Sequence, residues 1–244
     1  MDPIETKPQE KESSLLVAFS ILVSGALIAA GLYYSPKANE SVGNANSKQI
    51  PAIGDMNMEP ISSDDHIFGN PNAQVYVVEY SDTECPFCKT FHQTMKQMAA
   101  EYTKDGKVAW VYRHFPIKSL HSKAPKEAEA TECAAELGGN DKFWEYLDQI
   151  FTQTNSNDTL DPSALPAIAK TVGLDVKKFN TCLSSGKYAN KVAESVQDAM
   201  NAGGEGTPNT IIMTRDGQKV AVKGAQSYEV VKTIIDAALK AQTN

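Results

Sequence analysis

The chain has 244 residues and a formal net charge of −7, with 41% hydrophobic residues. This acidic balance argues against the basic surface that nucleic-acid binding requires, so we expect no nucleic-acid partner. The composition is that of an ordinary globular protein, and the length is sufficient for one well-packed domain after the N-terminal segments described next.

The first apolar run lies near the N-terminus. Residues 15–34 read LLVAFSILVSGALIAAGLYY and carry no charge. A helix of this length spans about 30 Å, the thickness of a bilayer's hydrocarbon core. The competing interpretation, a cleaved signal peptide, calls for a positive leading segment and a shorter apolar run. We therefore predict one uncleaved transmembrane anchor at 15–34, preceded by a segment at 1–14 that is the cytoplasmic N-terminus if the folded domain lies outside the cytosol.

Residues 35–64 are rich in Ser, Asn, Pro and Gly and show no apolar period, which predicts a flexible tether. The lysines flanking the apolar run tie at two on each side, so their count does not decide the orientation of the anchor. The tether is too short and too polar to form a dimerisation domain. The folded domain is expected at 65–244.

The domain opens with a predicted strand, helix and strand. Residues 74–80 (QVYVVEY) form a β-branched and aromatic run, residues 86–104 have helical apolar spacing, and residues 108–115 form a second strand. This order implies a parallel pair of strands joined by a right-handed crossover.

Apolar stripes then predict a helical insertion over about 118–203. Asp161 and Pro162 are interpreted as the N-cap and first turn of one of its helices, and Met200 as part of a buried stripe. The charged run at 123–129 is interpreted as a solvated helix face.

The chain returns to strand at 210–213 and 219–223, around the turn Arg215-Asp216-Gly217. A closing helix at 227–241 is expected to bury Val230, Val231, Ile234 and Ala238. The sum is an α/β fold: a mixed sheet with helices on its faces and an inserted helical subdomain.

Cys85-Pro86-Phe87-Cys88 stands where a strand passes into a helix. If Cys85 caps that helix, the unpaired N–H groups and the positive end of the dipole favour its thiolate, which is the nucleophilic form. Cys88 lies one turn further on and resolves the mixed disulfide. Pro86 fixes the first helical turn and Phe87 adds no charge.

A zinc site is the alternative interpretation of this motif, with His92 one turn after Cys88. A closed zinc site needs four ligands, and the other histidines lack ligand spacing. We therefore expect no bound metal.

Several motifs together resemble the DsbA-like thioredoxin-fold family of bacterial disulfide oxidoreductases. The resemblance covers about residues 65–241. Its motifs are DHI at 65–67, GNP at 69–71, VVEYSDTECPFC at 77–88, RHFP at 113–116, FWEY at 143–146 and GTP at 206–208. It implies a thioredoxin-like fold and thiol–disulfide exchange without an organic cofactor, carried by the redox-active disulfide of Cys85 and Cys88.

The resemblance also implies three supporting residues. Pro208 matches a cis-proline that faces the redox pair, and Thr207 would present its backbone to substrate. Glu79 matches a buried acid that relays protons. Without the resemblance, Pro208 would be interpreted as an ordinary trans turn proline, and Glu79 as a strand-end residue in solvent.

The two remaining cysteines, Cys133 and Cys182, allow two interpretations. They are either buried reduced thiols or a structural disulfide that closes a loop of about 50 residues. An oxidising compartment favours the disulfide.

These observations predict an extracytoplasmic oxidoreductase that introduces disulfides into exported proteins. It would be held in the cell membrane by a single-pass anchor, with the domain outside the cytosol because disulfides persist there. The family implies a quinone-linked membrane partner that reoxidises it. Two alternatives remain: an isomerase or reductase, for which Thr207 before the proline is equally suitable, and a non-enzymatic binding module or metal chaperone.

Overall fold

The computed structural model describes residues 56–242. The predicted segments 1–14 and 15–34, and residues 35–55 of the predicted tether, lie outside this range. Within 56–242, no helix combines the length and the apolar character needed to cross a membrane.

The last part of the predicted tether belongs to the packed domain. Residues 56–64 form no helix or strand, yet the Met58 side chain is buried. Arg113 donates hydrogen bonds to the carbonyl oxygens of Glu59 and Pro60, at 2.9 and 3.2 Å. The boundary predicted at 64/65 therefore moves toward the N-terminus, because side chains far along the chain hold this segment.

A five-stranded sheet forms the centre of the domain. Its strands are β1 (His66–Gly69), β2 (Val75–Ser81), β3 (Val108–His114), β4 (Asn209–Thr214) and β5 (Lys219–Lys223). The spatial order is β1-β3-β2-β4-β5. The β2–β3 pair is parallel, as predicted, and the other pairs are antiparallel. Strand β1 was not predicted, since four residues show no clear alternation.

Helices α1 (Pro86–Tyr102) and α6 (Tyr228–Ala241) contribute to the core on one face of the sheet. Phe91, Met95 and Met98 of α1 are fully buried there. In α6 the buried residues are Val231 and Ile235, one turn apart, whereas Val230 is 41% exposed. The expectation that Val230 is buried was wrong, because successive helical residues point about 100° apart.

The helical insertion has its own core. Its helices are α2 (Ala124–Gln153), which is interrupted at Gly139, α3 (Ala164–Thr171), α4 (Val176–Ser185) and α5 (Ala189–Asn201). At Gly139 φ is +80°, a backbone conformation that glycine adopts readily. This core includes Cys133, Tyr146, Ile150, Ile168, Phe179 and Cys182. The predicted insertion is thus confirmed as a compact subdomain.

Three details of the insertion differ from the sequence-based expectation. Helix α3 begins at Ala164, because the Asp161 carboxylate accepts from the Ser163 N–H at 2.8 Å and closes a turn before it. Met200 is 49% exposed, since α5 turns Val192 and Ala199 inward instead. The charged run at 123–129 is not a solvated face, because Glu127 is only 2% exposed.

Candidate active site

The cysteine motif occupies the junction of β2 and α1. Cys85 is the N-cap residue of α1, with extended backbone angles (φ −79°, ψ 123°), and Pro86 is the first helical residue. Pro86 is tolerated there because an amide at this position has no partner within the helix. Residues Cys85 and Cys88 are both free thiols in this structure.

The two thiols have opposite pKa shifts. The hydrogen bond from the Cys88 thiol lowers the pKa of Cys85 to about 6, and the backbone N–H groups of Phe87 and Cys88 add to this effect. Burial raises the pKa of Cys88 well above its ordinary value. Cys85 is 5% exposed and Cys88 is fully buried. The arrangement therefore favours a thiolate at Cys85 and a protonated thiol at Cys88.

A loop that precedes β4 lies against the first thiol. The Thr207–Pro208 peptide bond is cis. The Cys85 thiol donates to the Thr207 carbonyl oxygen at 3.5 Å. The structure thus brings Thr207 and Pro208, which are more than 120 residues away in sequence, to the redox pair.

Glu79 lies on β2 in the interior of the domain. Its side chain is fully buried, and the Trp110 indole N–H donates to Oε2 at 3.0 Å. Burial raises the pKa of Glu79 to about 7. The interpretation of Glu79 as a solvent-exposed strand end is therefore excluded. At neutral pH the group is poised to give or accept a proton.

Asp82, three residues before Cys85, was missed in the sequence. Its carboxylate accepts from the Ile117 N–H at 2.7 Å and pairs with His121 Nδ1 at 2.9 Å. These bonds tie the loop after β3 to the segment that leads into Cys85. The signal available was a run of polar residues, SDTE, directly before the cysteine.

Glu84 is a second missed residue, and it is fully buried next to Cys85. Its carboxylate accepts from the Thr154 hydroxyl at 2.9 Å and from the Leu160 N–H at 3.1 Å. The intervening residues 156–158 all have positive φ, from 56° to 70°, and the Asn157 N–H bonds the Glu84 carbonyl at 2.7 Å. Glu84 thereby holds an unusual left-handed turn beside the redox pair.

Glu127 completes this acidic group from helix α2. The Thr83 hydroxyl donates to its carboxylate at 2.6 Å. Burial, with the nearby charge of Glu84, raises the pKa of Glu127 to about 8. Acidic side chains from two parts of the chain therefore surround the entry to α1.

Phe87, between the two cysteines, is 64% exposed. Leu120, on the loop that Asp82 anchors, is 68% exposed. Two large apolar side chains therefore face solvent, one between the two cysteines and one on a loop that is hydrogen-bonded to Asp82.

Cys133 and Cys182 form a disulfide, with an S–S distance of 1.98 Å and a Cα–Cα distance of 5.9 Å. It joins α2 to α4 within the core of the insertion. The alternative of two buried reduced thiols therefore does not describe this structure.

The zinc interpretation finds no support in the described range. His92 is 1% exposed, and its Nε2 pairs with Asp148 Oδ1 at 2.6 Å. Across residues 56–242, no group of three or more His, Cys, Asp or Glu side chains is arranged to hold a metal ion.

Comparisons with known proteins agree with this geometry. The family model described as Thioredoxin matches residues 62–237, well over half of the chain. The crystal structure of DsbA2 from Pseudomonas aeruginosa is 26% identical and covers 73% of this chain and 96% of that one, with a TM-score of 0.62. BdbD from Bacillus subtilis is 20% identical and covers 72% of this chain and 93% of that one, with a TM-score of 0.64, which shows the shared fold.

Curated relatives match over part of their length. The Na(+)/H(+) antiporter NhaA 3 of Salinispora tropica is 35% identical over 159 residues, which are 65% of this chain and 23% of that antiporter. The NhaA 1 antiporter of Mycolicibacterium gilvum is 33% identical over 145 residues, 58% of this chain and 22% of its own length. The chain thus spans about a quarter of the length of these relatives.

Proposed function

The chain belongs to the thioredoxin family and is a DsbA-like thioredoxin-fold oxidoreductase, and on this premise we propose that it introduces disulfide bonds into exported proteins through Cys85 and Cys88. The observation that carries the proposal is the pair of thiols at the start of α1, whose pKa values are shifted in opposite directions, together with the cis Thr207–Pro208 bond next to Cys85.

In the proposed cycle, a substrate thiolate attacks Cys85 Sγ of the oxidised enzyme, and the Cys85–Cys88 bond breaks. Cys88 leaves with the electron pair and takes up a proton, for which Glu79 is the source. The second substrate thiolate then attacks the substrate sulfur of the mixed disulfide and releases Cys85 as a thiolate. The substrate is oxidised by two electrons, which the two enzyme cysteines retain without a further cofactor.

The stability of the reduced form supports the proposed direction of transfer. A thiolate that is favoured at Cys85 stabilises the reduced enzyme, and this makes its disulfide a better oxidant. The opposite direction, isomerase or reductase, is the alternative that Thr207 before the cis-proline also suits.

The proposal places the enzyme in an oxidising compartment. The Cys133–Cys182 disulfide supports this location, because disulfides persist mainly outside the cytosol. We propose that the segment at 15–34 anchors the chain in the membrane, and that a quinone-linked membrane partner reoxidises it, as the family implies.

The test is the equilibrium reduction potential of the full-length protein against glutathione, with Cys85→Ser as the control that lacks the couple. We expect a value near or above about −150 mV, as for a dithiol oxidant. A value near about −270 mV would establish a reductant instead. If no two-electron couple responds at these cysteines, the proposed function is wrong.

A further inference from the structure

Buried polar side chains meet on one face of the sheet, close to Cys88. In the strand register, Glu79 of β2 pairs with Tyr112 of β3 on one side and with Thr210 of β4 on the other. Ser81 follows Glu79 by two residues, so its side chain points to the same face. All four residues are at most 1% exposed.

Each of these side chains keeps an oxygen without a hydrogen-bond partner among the described residues. The atoms are Glu79 Oε1, Ser81 Oγ, Tyr112 Oη and Thr210 Oγ1. Buried polar atoms are almost always paired, so a cluster of this kind calls for an explanation. Packing alone does not supply one, because apolar side chains of the same size would fill the space at a lower desolvation cost.

Ser81 is the member of this cluster that lies between the two ends of a proton path, because it shares a face of β2 with Glu79 and its chain neighbour Asp82 contacts Cys88. Its hydroxyl forms no hydrogen bond within residues 56–242, yet it is near enough to both groups to lower the pKa of Glu79 and that of Cys88, against the larger opposing effect of burial in each case. The N–H of the next residue, Asp82, donates to Cys88 Sγ at 3.4 Å, so the backbone here lies against the sulfur. A serine hydroxyl donates one hydrogen bond while accepting others, as a relay requires.

We propose that the Ser81 hydroxyl relays the proton between Cys88 Sγ and the Glu79 carboxyl group, with the Tyr112 hydroxyl orienting it. This inference rests on the proposed exchange at Cys85 and Cys88. When the Cys85–Cys88 bond breaks, Ser81 gives its proton to the Cys88 thiolate and takes one from Glu79, which becomes a carboxylate. During reoxidation the same protons return, and the Cys88 thiolate attacks Cys85 Sγ and displaces the partner's thiolate.

The surroundings leave few other routes. Cys88 is fully buried, so bulk water does not reach its sulfur directly. Trp110 donates to Glu79 Oε2, and an indole N–H cannot accept a proton in exchange. The titratable groups facing the path are Cys85, Cys88, Tyr112 and Asp82, while the β4 neighbour Thr210 is uncharged.

The test is the rate at which excess dithiothreitol reduces the oxidised full-length protein, followed by stopped flow from pH 5 to 9. We expect Ser81→Ala to slow reduction roughly 100-fold, a usual effect for loss of a proton-transfer group. Ser81→Thr keeps a hydroxyl at the same position and is expected to restore most of the rate. Tyr112→Phe, which removes only the orienting hydroxyl, is expected to cause a smaller loss.

The decisive comparison uses Glu79→Gln. If Ser81 acts through Glu79, adding Ser81→Ala to Glu79→Gln causes no further slowing. If the two losses in rate are fully additive, Ser81 has a structural role and the relay is overturned. The relay is also overturned if Ser81→Ala reacts at the wild-type rate, or if Ser81→Thr folds and still reacts slowly. Failure of the wild-type disulfide to react at all would instead overturn the proposed exchange.

Discussion

The two cysteine pairs of this domain are similarly buried and yet differ in their chemical state. Exposure is 5% and 0% for Cys85 and Cys88, and 1% and 7% for Cys133 and Cys182. The first pair lies at a helix N-terminus, against a carbonyl oxygen and a cluster of buried acids. The second joins two helices within an apolar core. Similar burial therefore accompanies two different surroundings, and we expect the polar neighbours of Cys85 and Cys88 to make that pair the reactive one.

The largest effect expected from this contrast is the complete loss of exchange in Cys85→Ser. The serine hydroxyl is not ionised at neutral pH and forms no mixed disulfide, so no catalytic cycle begins. The measurement is oxidation of a reduced dithiol peptide, with Ser184→Ala on the exposed side of α4 as the control. Turnover that survives in Cys85→Ser would remove this cysteine from the mechanism.

Removal of the second pair should affect stability instead. The disulfide joins cysteines that are 49 residues apart in sequence. For a loop of this length, the chain-entropy model predicts that the double variant Cys133→Ala, Cys182→Ala loses about 4 kcal/mol in the free energy of unfolding. Denaturant titration of this double variant checks the value. Exchange at Cys85 is expected to stay at the wild-type rate, and a parallel fall in that rate would mean that the two pairs are coupled.

Glu79 makes the redox region sensitive to pH. Its pKa is raised from 4.5 to about 7, so the folded state binds more protons than the unfolded state between these values. The free energy of unfolding therefore falls as pH rises through this window, and the full cost, about 3 kcal/mol, is present above pH 7.

Glu79→Gln should consequently stabilise the protein at pH 8 by up to about 3 kcal/mol and have little effect on stability at pH 4. Denaturant titrations at the two pH values measure the difference. Glu205→Gln, whose side chain is 86% exposed, is the matched control and should show no such dependence. An equal effect of Glu79→Gln at both pH values would contradict the raised pKa.

The smallest effect concerns Arg113, which joins the sheet to the helical subdomain. Its guanidinium group bonds both Asp65 oxygens, at 2.7 and 2.9 Å, and Asp198 Oδ2 of α5 at 2.8 Å. Lysine keeps the positive charge but lacks the planar guanidinium group that donates several hydrogen bonds at once. Arg113→Lys should therefore lower the free energy of unfolding by roughly 1.5–3 kcal/mol. Thermal unfolding tests this value. If the exchange rate changes as well, the contacts of Arg113 also help to position the redox pair.

Local patterns predicted much of the fold. The β-branched run before Cys85, the apolar spacing after it and the proline at 86 are short-range features, and they sufficed for β2, α1 and the parallel β3. The same patterns failed at β1, which is too short to show alternation, and at Val230, where several residues of one helix compete for the buried face.

The sequence by itself determined the redox motif at a strand-to-helix junction, because helix capping and hydrophobic periodicity act between near neighbours. Only the tertiary structure decided that Glu79 is buried, that Ser81 and Tyr112 lie beside it, and that Cys133 meets Cys182. A glutamate or a serine in a strand has the same local pattern whether it faces solvent or the core. Its pKa depends on what other strands and helices place around it, and those contacts come from residues far away in the chain.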